Sequence, residues 1–497
     1  MMTTPHATEG EARTKIVATL GPASAAPEVL DELLRAGTDV VRLNLSHGSI
    51  DEHLGRLADV RAAAQRVGRV VAVLADLPGP KVRSGAFPGT GADLRAGEHV
   101  VLVPHEGPSS GQRITVDYPT LLTDVHPGDR VVLGDGAISL QVQSVTDEGV
   151  TCAIITGGRV QGRPGVHLPS ERLRLTTPTE QDLEYAVKMA EAGADFLAVS
   201  FVRAAHDLRV VREAIAPRST RLVAKIETMP AVESLEEIAA EADAVMVARG
   251  DLGIECPLED VPHLQKRIIR HCVEVGVPVI TATQMMESMI TSPSPTRAEV
   301  SDIANAVFDG TDALMLSAET AVGVDPPAVV RAMNRIAWRA ESEASYAHWA
   351  SRLGRVQREQ WPDGPDRITM AITHAAGMAA ADAGASAIVC CTRTGRTARA
   401  MARFRPTPML IGASPDPATV RTMALSWGVR TLEVDTYHST DELVWFAVER
   451  AVQEGLLTSG QTVLVLAGVT AADAKKAVKV ALNGGASTDV LRIVRIS

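Results

Sequence analysis

The chain has 497 residues, which is too long for one hydrophobic core, so two or three domains are expected. Its formal net charge of −11 argues against a nucleic-acid-binding protein, and no apolar run approaches the roughly 20 residues of a membrane span. The polar segment Met1–Arg13 does not resemble a signal peptide. The five cysteines (152, 256, 272, 390 and 391) lack metal-binding spacing and are expected to be free thiols in a reducing cytoplasm.

The first 80 residues alternate between strands and helices. Strands are predicted at Thr14–Leu20, Asp39–Leu45 and Arg69–Leu77, and the first helix at Pro27–Ala36. A second helix is expected to run to about Val67. A repeat of this length is typical of parallel α/β units.

This alternation stops between residues 85 and 166, where no helix is predicted. Short β-like runs are separated there by turns rich in glycine and proline, namely His99–Val103, Arg113–Val116, Arg130–Leu133 and Ile138–Val145. The segment 85–166 is therefore interpreted as a small all-β domain inserted after the third strand.

Alternation resumes after residue 166. Capping boxes are predicted at Thr177–Glu180 and Thr296–Glu299, and five further strands at Asp195–Phe201, Arg221–Ile226, Ala244–Ala248, Pro278–Ala282 and Ala313–Leu316. Together with the first three strands these make eight, each followed by a helix. That count predicts an α/β fold, a (β/α)8 TIM barrel built from residues 12–84 and 167–350.

The remainder, 351–497, is predicted to form a separate open α/β domain. It begins with a linker-like segment, Arg352–Arg367, and continues with strands alternating with helices: Ser386–Cys391, Met409–Gly412, Arg430–Val434, Gln461–Ala467 and Asp489–Arg495.

Polar residues lie at the carboxyl ends of almost all the predicted barrel strands, or directly after them, where TIM barrels carry their catalytic groups. They are Arg42, Asn44, Ser46, Asp76, Ser200, Lys225, Glu227, Arg249, Asp251, Thr283, Gln284, Ser317 and Glu319. The carboxylates of Glu227 and Asp251 suit Mg²⁺ or Mn²⁺, whereas Arg42 and Lys225 suit a phosphate or carboxylate. Gly250 allows backbone amides to approach an anion. An ion-pair network that only stabilises the barrel mouth is the alternative interpretation.

Five long motifs make the chain resemble the pyruvate kinase family over nearly its whole length. They are VRLNLSHG (41–48), VAKIE (223–227), ARGDLGIE (248–255), TATQMMESMI (281–290) and PTRAEVSDIANAVFDGTDALMLSAET (295–320). The resemblance implies transfer of the phosphoryl group of phosphoenolpyruvate to ADP, giving pyruvate and ATP in the cytoplasm. It also implies a homo-oligomer, a tetramer in this family.

The resemblance also implies roles for single residues. Glu227 and Asp251 would hold the divalent cation, and the amides of Gly250 and Asp251 would receive the substrate carboxylate. Lys225 and Arg42 would stabilise the phosphoryl group, and Thr283 would relay a proton to the enolate.

Nucleotide and monovalent-cation sites are implied next to this centre. His47, Arg83 and Asn44 would contact the nucleotide, with the inserted β domain closing as a lid. Asn44, Ser46 and Asp76 correspond to the family's K⁺ site. Because Lys81 stands where K⁺-dependent members carry glutamate, its ammonium is expected to remove the need for K⁺.

An effector site is predicted in the C-terminal domain. The segment after the first strand of that domain, Thr392, Arg393, Thr394, Gly395, Arg396 and Thr397, resembles the family's effector loop. It combines hydroxyl, guanidinium and helix N-terminal donors, which suit a phosphorylated metabolite.

Three departures from the family pattern put nucleotide affinity and turnover in doubt. They are Pro78, Pro164 together with His167, and Ala318. Two alternative functions therefore stay open at this point: a catalytically weakened regulatory paralogue, and a metal-dependent lyase acting on pyruvate or phosphoenolpyruvate.

Overall fold

The computed structural model describes residues 10–497 except 106, 135, 137, 170–173, 175, 345, 347–348, 350–352, 354–364, 437–438 and 469–487. All eight predicted barrel strands are present, and they pair in parallel around a closed barrel in which the first strand contacts both the second and the last. They are β1 (Lys15–Thr19), β2 (Val40–Asn44), β3 (Ala72–Asp76), β12 (Phe196–Val199), β13 (Arg221–Ile226), β14 (Ala244–Ala248), β15 (Val279–Ala282) and β16 (Ala313–Leu316). The TIM-barrel prediction is confirmed.

The inserted domain lies between β3 and β12, which are direct neighbours in the barrel, with Asp76 opposite Ala198. Its described elements are β4 (Ala92–Leu94), β5 (His99–Val103), β6 (Arg113–Thr115), α3 (Leu121–Asp124), β7 (Arg130–Leu133), β8 (Ile138–Thr146), β9 (Gly149–Thr156), β10 (Gly158–Val160) and β11 (Val166–His167). A six-stranded sheet and a two-stranded sheet enclose a separate hydrophobic core. The single-turn helix α3 was not expected from the sequence.

All helices of the barrel except the short α11 contribute buried apolar side chains to the core around the strands. They are α1 (Pro27–Arg35), α2 (Ile50–Val67), α4 (Glu180–Glu191), α5 (Ala205–Ile215), α6 (Met229–Glu233), α7 (Leu235–Glu241), α8 (Arg249–Glu255), α9 (Val261–Val275), α10 (Arg297–Asp309), α11 (Ala318–Ala321) and α12 (Pro326–Glu343).

One predicted capping box is wrong and one is confirmed. The box predicted to start at Thr177 starts instead at Thr179, whose hydroxyl accepts the Asp182 N–H at 3.1 Å while the Asp182 carboxylate accepts the Thr179 N–H at 2.9 Å. The third helical position of this box is occupied by Asp182, an acidic residue shorter than the glutamate of the usual motif. The box from Thr296 to Glu299 is present.

The C-terminal domain has the predicted open α/β architecture, with strand order β19-β18-β17-β20-β21 and an antiparallel edge strand, β21. Its described elements are α13 (Pro365–Asp382), β17 (Ala387–Cys391), α14 (Arg396–Ala402), β18 (Met409–Ser414), α15 (Pro417–Met423), β19 (Val429–Glu433), α16 (Thr440–Gln453), β20 (Thr462–Gly468) and β21 (Thr488–Arg495). The predicted linker falls largely on residues 354–364, outside the described part of the chain.

Ion pairs join this domain to the amino end of the barrel. Arg405 bonds Asp312 at 2.9 Å with both side chains buried, and Arg421 bonds Asp195 at 2.7 Å. All five cysteines are free and buried. None of the helices described for the chain is long and apolar enough to span a bilayer.

Candidate active site at the barrel mouth

A cleft of about 320 Å³ opens between the carboxyl end of the barrel and the inserted domain. Asp251, Lys81 and Arg83 line it from the barrel side, and Gly134 and His167 line it from the inserted domain. The inserted domain therefore covers the strand ends at which the sequence predicted a site, and we call it the lid.

Two cations at the strand ends share the buried carboxylate of Asp76. Arg42 contacts Asp76 Oδ2 through both Nε and Nη2 at 2.7 Å, and Lys225 Nζ lies 3.2 Å from Asp76 Oδ1. Burial opposes ionisation of this carboxyl group, but the charges of Lys225 and Arg42 outweigh it and lower the pKa of Asp76. Asp76 thus stays ionised and fixes both cations side by side.

Lys225 is held by two further groups. Its Nζ lies 2.8 Å from Glu227 Oε1 and 2.7 Å from the hydroxyl of buried Ser200. Burial disfavours the ammonium form, yet Asp76 and Glu227 together raise the pKa of Lys225 above its ordinary value. The lysine is therefore a fixed cation at neutral pH, and the expectation that Lys225 and Glu227 face the same space is confirmed.

Glu227 has one oxygen on a backbone amide and the other beside the Lys225 ammonium. Its Oε2 accepts the backbone N–H of Phe201 at 2.7 Å, whereas its Oε1 lies 2.8 Å from the ammonium of Lys225. Burial raises the pKa of Glu227 against the opposing charge of Lys225, and the nearby charge of Asp251 adds to this rise.

The carboxylates of Glu227 and Asp251 fit a hard divalent cation. Among the described residues no cluster of three or more His, Cys, Asp or Glu side chains is placed to hold a metal ion. Mg²⁺ is commonly bound in this way, through one or two carboxylates together with the oxygens of a phosphorylated substrate.

Thr283 lies on a strained turn just after β15. Thr283 and Gln284 both have positive φ angles, 68° and 53°, which are unusual for residues with side chains and costly for a β-branched one. Such conformations cost on the order of 1–3 kcal/mol each, so the surroundings must hold them. The Thr283 hydroxyl accepts the Gly250 N–H at 2.8 Å, which places it beside the amides predicted to bind an anion.

Some residues at the strand ends support the site without lining the cleft, and these roles were not predicted from the sequence. Phe201, also at a positive φ of 55°, uses its backbone N–H to orient Glu227. Buried Glu319 accepts the N–H groups of Met286 and Ser317, so it supports the turn after β15 and not the cleft. Positive φ at a residue other than glycine leaves no signal in a single sequence, and these roles could not have been found there.

A group of cations lines the outer part of the cleft. Lys81 donates to Ser46 Oγ at 3.2 Å, and Arg83 donates to the carbonyl of Arg163 in the lid at 3.3 Å. Asn44 accepts the Ser46 N–H through its side chain at 3.3 Å. Loss of water around the ring, followed by the charges of Lys81, Arg83 and Arg42, lowers the pKa of His47. The excess of positive charge suits a polyphosphate.

The predicted effector loop lies far from this cleft, between β17 and α14. Arg393, Thr394 and Arg396 are exposed, and Gly395 has a φ of 77°. Thr392 is partly buried, whereas the hydroxyl of buried Thr397 lies 2.6 Å from Thr488 Oγ1. The Thr394 carbonyl accepts hydrogen bonds from Arg399 and from Arg221 of β13, each at 3.1 Å.

Comparisons with known proteins assign the barrel and the C-terminal domain to the same family. Residues 11–330 match the family model described as pyruvate kinase, barrel domain, and residues 370–481 match the one described as pyruvate kinase, alpha/beta domain. A pyruvate kinase of Geobacillus stearothermophilus is 40% identical over 462 residues, covering 92% of this chain and 78% of the relative. One of Staphylococcus aureus is 38% identical over 461 residues, with the same coverage.

A solved structure of the same family is similar to this chain over nearly its whole length. The crystal structure of a pyruvate kinase from Cryptosporidium parvum superposes with a TM-score of 0.87 at 31% sequence identity, covering 99% of this chain and 98% of that one. The barrel, the lid and the C-terminal domain are thus all present in a known enzyme. The chain therefore belongs to the pyruvate kinase family and is a glycolytic phosphotransferase.

Proposed function

We propose that the enzyme converts phosphoenolpyruvate and ADP to pyruvate and ATP in the cleft at the barrel mouth. The observation that carries this proposal is the cluster around Lys225, in which the lysine ammonium lies within 3.2 Å of carboxylate oxygens of both Asp76 and Glu227. Phosphoryl transfer requires mainly positioning and charge stabilisation, and this cluster supplies a fixed cation in a site shielded from water.

Glu227 and Asp251 are proposed as the ligands of the divalent cation, Mg²⁺ or Mn²⁺. The bound cation would neutralise charge on the phosphate and carboxylate of the substrate. The charge of Asp251 acts on Glu227, so the two carboxylates lie near each other, and this supports the assignment. The Asp251 amide and the Gly250 amide next to it are proposed to receive the substrate carboxylate.

Lys225 and Arg42 are proposed to bind the phosphoryl oxygens from one side. Both are fixed by Asp76, so neither loses much conformational freedom when substrate binds. The transferring group carries negative charge throughout the reaction, and preoriented cations stabilise it without rearrangement in the transition state.

Thr283 is proposed to relay the proton that completes the reaction. Transfer of the phosphoryl group leaves the enolate of pyruvate, whose third carbon takes a proton as the oxygen becomes a ketone. A substrate carboxylate bound at the Gly250 amide would lie next to the Thr283 hydroxyl, which already contacts that amide. The hydroxyl would give its proton to the carbon and recover one from solvent.

His47, Arg83 and Asn44 are proposed to contact the nucleotide under the lid. The cations around His47 and the bond from Arg83 to the lid backbone support a polyphosphate at this position. The lid closes the cleft against water, which would otherwise compete with ADP for the phosphoryl group.

Potassium is proposed to be unnecessary. Lys81 Nζ lies 3.2 Å from the hydroxyl of Ser46, one of the three residues that correspond to the family's K⁺ site, with Asn44 and Asp76. An ammonium group at this position supplies the positive charge that a bound K⁺ would otherwise provide.

A phosphorylated metabolite is proposed to bind the exposed part of the loop from Thr392 to Thr397 and to regulate the enzyme. The exposed Arg393 and Arg396 support a phosphate ligand. The enzyme is further proposed to be a cytoplasmic homotetramer. The five free cysteines support a reducing compartment, and the tetramer follows the resemblance to the family.

The metal assignment is tested by titrating Mg²⁺ in a coupled assay of pyruvate formation. Glu227→Gln and Asp251→Asn should each raise the Mg²⁺ concentration that gives half-maximal activity by at least tenfold. Glu255→Gln is the matched control, because Glu255 lines the same cleft and is not assigned to the metal. An unchanged Mg²⁺ requirement in both site variants would exclude these ligands.

A further inference from the structure

Arg249 follows β14 directly, but its side chain does not point into the cleft as a substrate-binding arginine would. It is turned toward the neighbouring strand and is only 9% exposed. Its Nε donates to the carbonyl of Ala282 at 3.2 Å, and its Nη2 donates to the carbonyl of Thr283 at 2.6 Å. The same Nη2 lies 3.4 Å from the carbonyl of Gln284.

These three successive carbonyls belong to the turn in which Thr283 and Gln284 have positive φ angles. A left-handed turn points its carbonyls away from the sheet, so they need donors from elsewhere. A guanidinium group is suited to this task, because it offers five donors in a rigid planar arrangement. Arg249 thus holds the backbone conformation that local preferences oppose.

The guanidinium is itself anchored from the opposite side. Its Nη1 pairs with Asp302 on α10 at 2.6 Å and donates to Gln265 on α9 at 3.3 Å. Glu319 binds the other end of the turn through the Met286 N–H at 3.1 Å. The turn is therefore fixed between a cation that binds its carbonyls and a carboxylate that binds its last amide.

We propose that Arg249 is a positioning residue for proton transfer to carbon. By fixing the backbone of Thr283 it sets the direction of the Thr283 hydroxyl, and so controls delivery of the proton to the enolate. This inference rests on the role proposed above for Thr283. It assigns no contact between Arg249 and substrate, so phosphoryl transfer should depend on Arg249 much less than proton transfer does.

Proton transfer can be measured apart from phosphoryl transfer. An enzyme that protonates the enolate also removes a methyl proton from pyruvate, by microscopic reversibility. The rate at which the pyruvate methyl group exchanges with deuterium oxide, followed by ¹H NMR with Mg²⁺ and ATP present, therefore reports on the Thr283 step. The steady-state KM for phosphoenolpyruvate reports on substrate binding.

Arg249→Lys should lower the exchange rate at least tenfold and change the KM less than about threefold. Lysine keeps the charge but loses the planar arrangement of donors. Thr283→Ala should lower exchange at least as much, and the double variant should be no slower than Thr283→Ala alone, because both changes remove the same function.

Arg61→Lys is the matched control. Arg61 also bonds one aspartate, Asp195, and two backbone carbonyls, but at the opposite end of the barrel. Its replacement should leave exchange within threefold of wild type while causing a comparable shift in Tm. Asp302→Asn gives a second, milder test, with an expected three- to tenfold loss of exchange, should Arg249→Lys fail to fold.

The possible failures are distinguishable. If Thr283→Ala abolishes exchange while Arg249→Lys and Asp302→Asn retain it, Arg249 is not a positioning residue and the role of Thr283 stands. If Thr283→Ala retains exchange, the proposed role of Thr283 is wrong and the inference about Arg249 falls with it. Equal losses of exchange in Arg249→Lys and Arg61→Lys would reduce the effect to general destabilisation.

Discussion

Replacing Lys225 by methionine tests the central cluster most directly. The substitution keeps a side chain of similar length and removes the ammonium that lies 2.8 Å from Glu227 and 3.2 Å from Asp76. At an effective dielectric constant of about 20, these two contacts correspond to roughly 6 and 5 kcal/mol of attraction. Their loss leaves Asp76 with Arg42 and leaves Glu227 buried without its cation.

Two separate effects are expected. The kcat for pyruvate formation should fall at least about 100-fold, the scale for losing one oriented donor at a developing charge. Without metal, breaking a buried pair should cost about 3–5 kcal/mol of unfolding free energy. At about 2 °C for each kcal/mol, the Tm should fall by about 6–10 °C. Mg²⁺ should restore part of this Tm, because it replaces positive charge beside Glu227.

Steady-state kinetics and thermal unfolding with and without Mg²⁺ measure both effects. Lys225→Arg is the control that keeps the charge, and it should recover more of the Tm than of the kcat, since its planar group places the charge differently. A Lys225→Met enzyme that keeps more than a tenth of the wild-type kcat would refute the role in phosphoryl transfer. Equal losses of Tm in both variants would show that charge is not what stabilises the cluster.

Three further outcomes are expected. Lys81→Glu should make activity depend on K⁺, whereas the wild type should be as active in buffer free of Na⁺ and K⁺ as it is with K⁺ added. A wild-type enzyme that needs K⁺ would contradict the role given to Lys81. Ribose 5-phosphate, glucose 6-phosphate, fructose 1,6-bisphosphate or AMP should shift the half-saturation for phosphoenolpyruvate, and Thr394→Ala or Arg396→Ala should abolish that shift; a shift that survives both substitutions would place the effector elsewhere. In the lid, the Asp124 carboxylate accepts hydrogen bonds from the hydroxyl groups of Thr120 and Tyr118. Burial opposes ionisation of this group, but these hydrogen bonds help to lower the pKa of Asp124. Asp124→Asn should therefore lower the free energy of unfolding by about 1–3 kcal/mol at neutral pH. A carboxyl group whose pKa is lowered by folding stabilises the protein at pH values above its pKa in the unfolded chain, near 3.9. The difference in unfolding free energy between wild type and Asp124→Asn, measured by urea unfolding, should therefore become smaller only below about pH 4. If that difference vanishes near pH 6, the Asp124 carboxylate does not cause it.

Much of the fold was predictable because strands of a closed parallel barrel are apolar on both sides and end abruptly. Ala244–Ala248 is predicted and observed with the same bounds, since Arg249 cannot continue a buried run. In the C-terminal domain, Ala387–Cys391, Met409–Ser414 and Thr462–Gly468 are buried runs that could be recognised in the same way. The strands of the lid were harder to predict, because short strands such as Gly158–Val160 have too few residues to show an alternation of apolar and polar positions.

The gathering of polar residues at the strand ends was predictable from the sequence, but their individual contacts were not. Lys225 and Glu227 could be placed together because alternate residues of a strand point the same way. The direction of Arg249 could not, because a cation after a strand can serve either a substrate or a neighbouring backbone. Its partners at Ala282 and Asp302 are 33 and 53 residues away in sequence, and only the three-dimensional structure brings them together.

The position of the lid between two adjacent barrel strands has a consequence for the entropy of chain closure. Asp76 and Ala198 pair across β3 and β12 although 122 positions separate them. Closing a flexible loop of that length costs only about 1 kcal/mol more than closing one of about 40 residues, because the cost grows with the logarithm of length. The lid also has a hydrophobic core of its own, so it does not draw apolar residues from the barrel. A barrel can therefore carry a whole domain over this end at an entropic cost of only about 1 kcal/mol beyond that of a loop of about 40 residues.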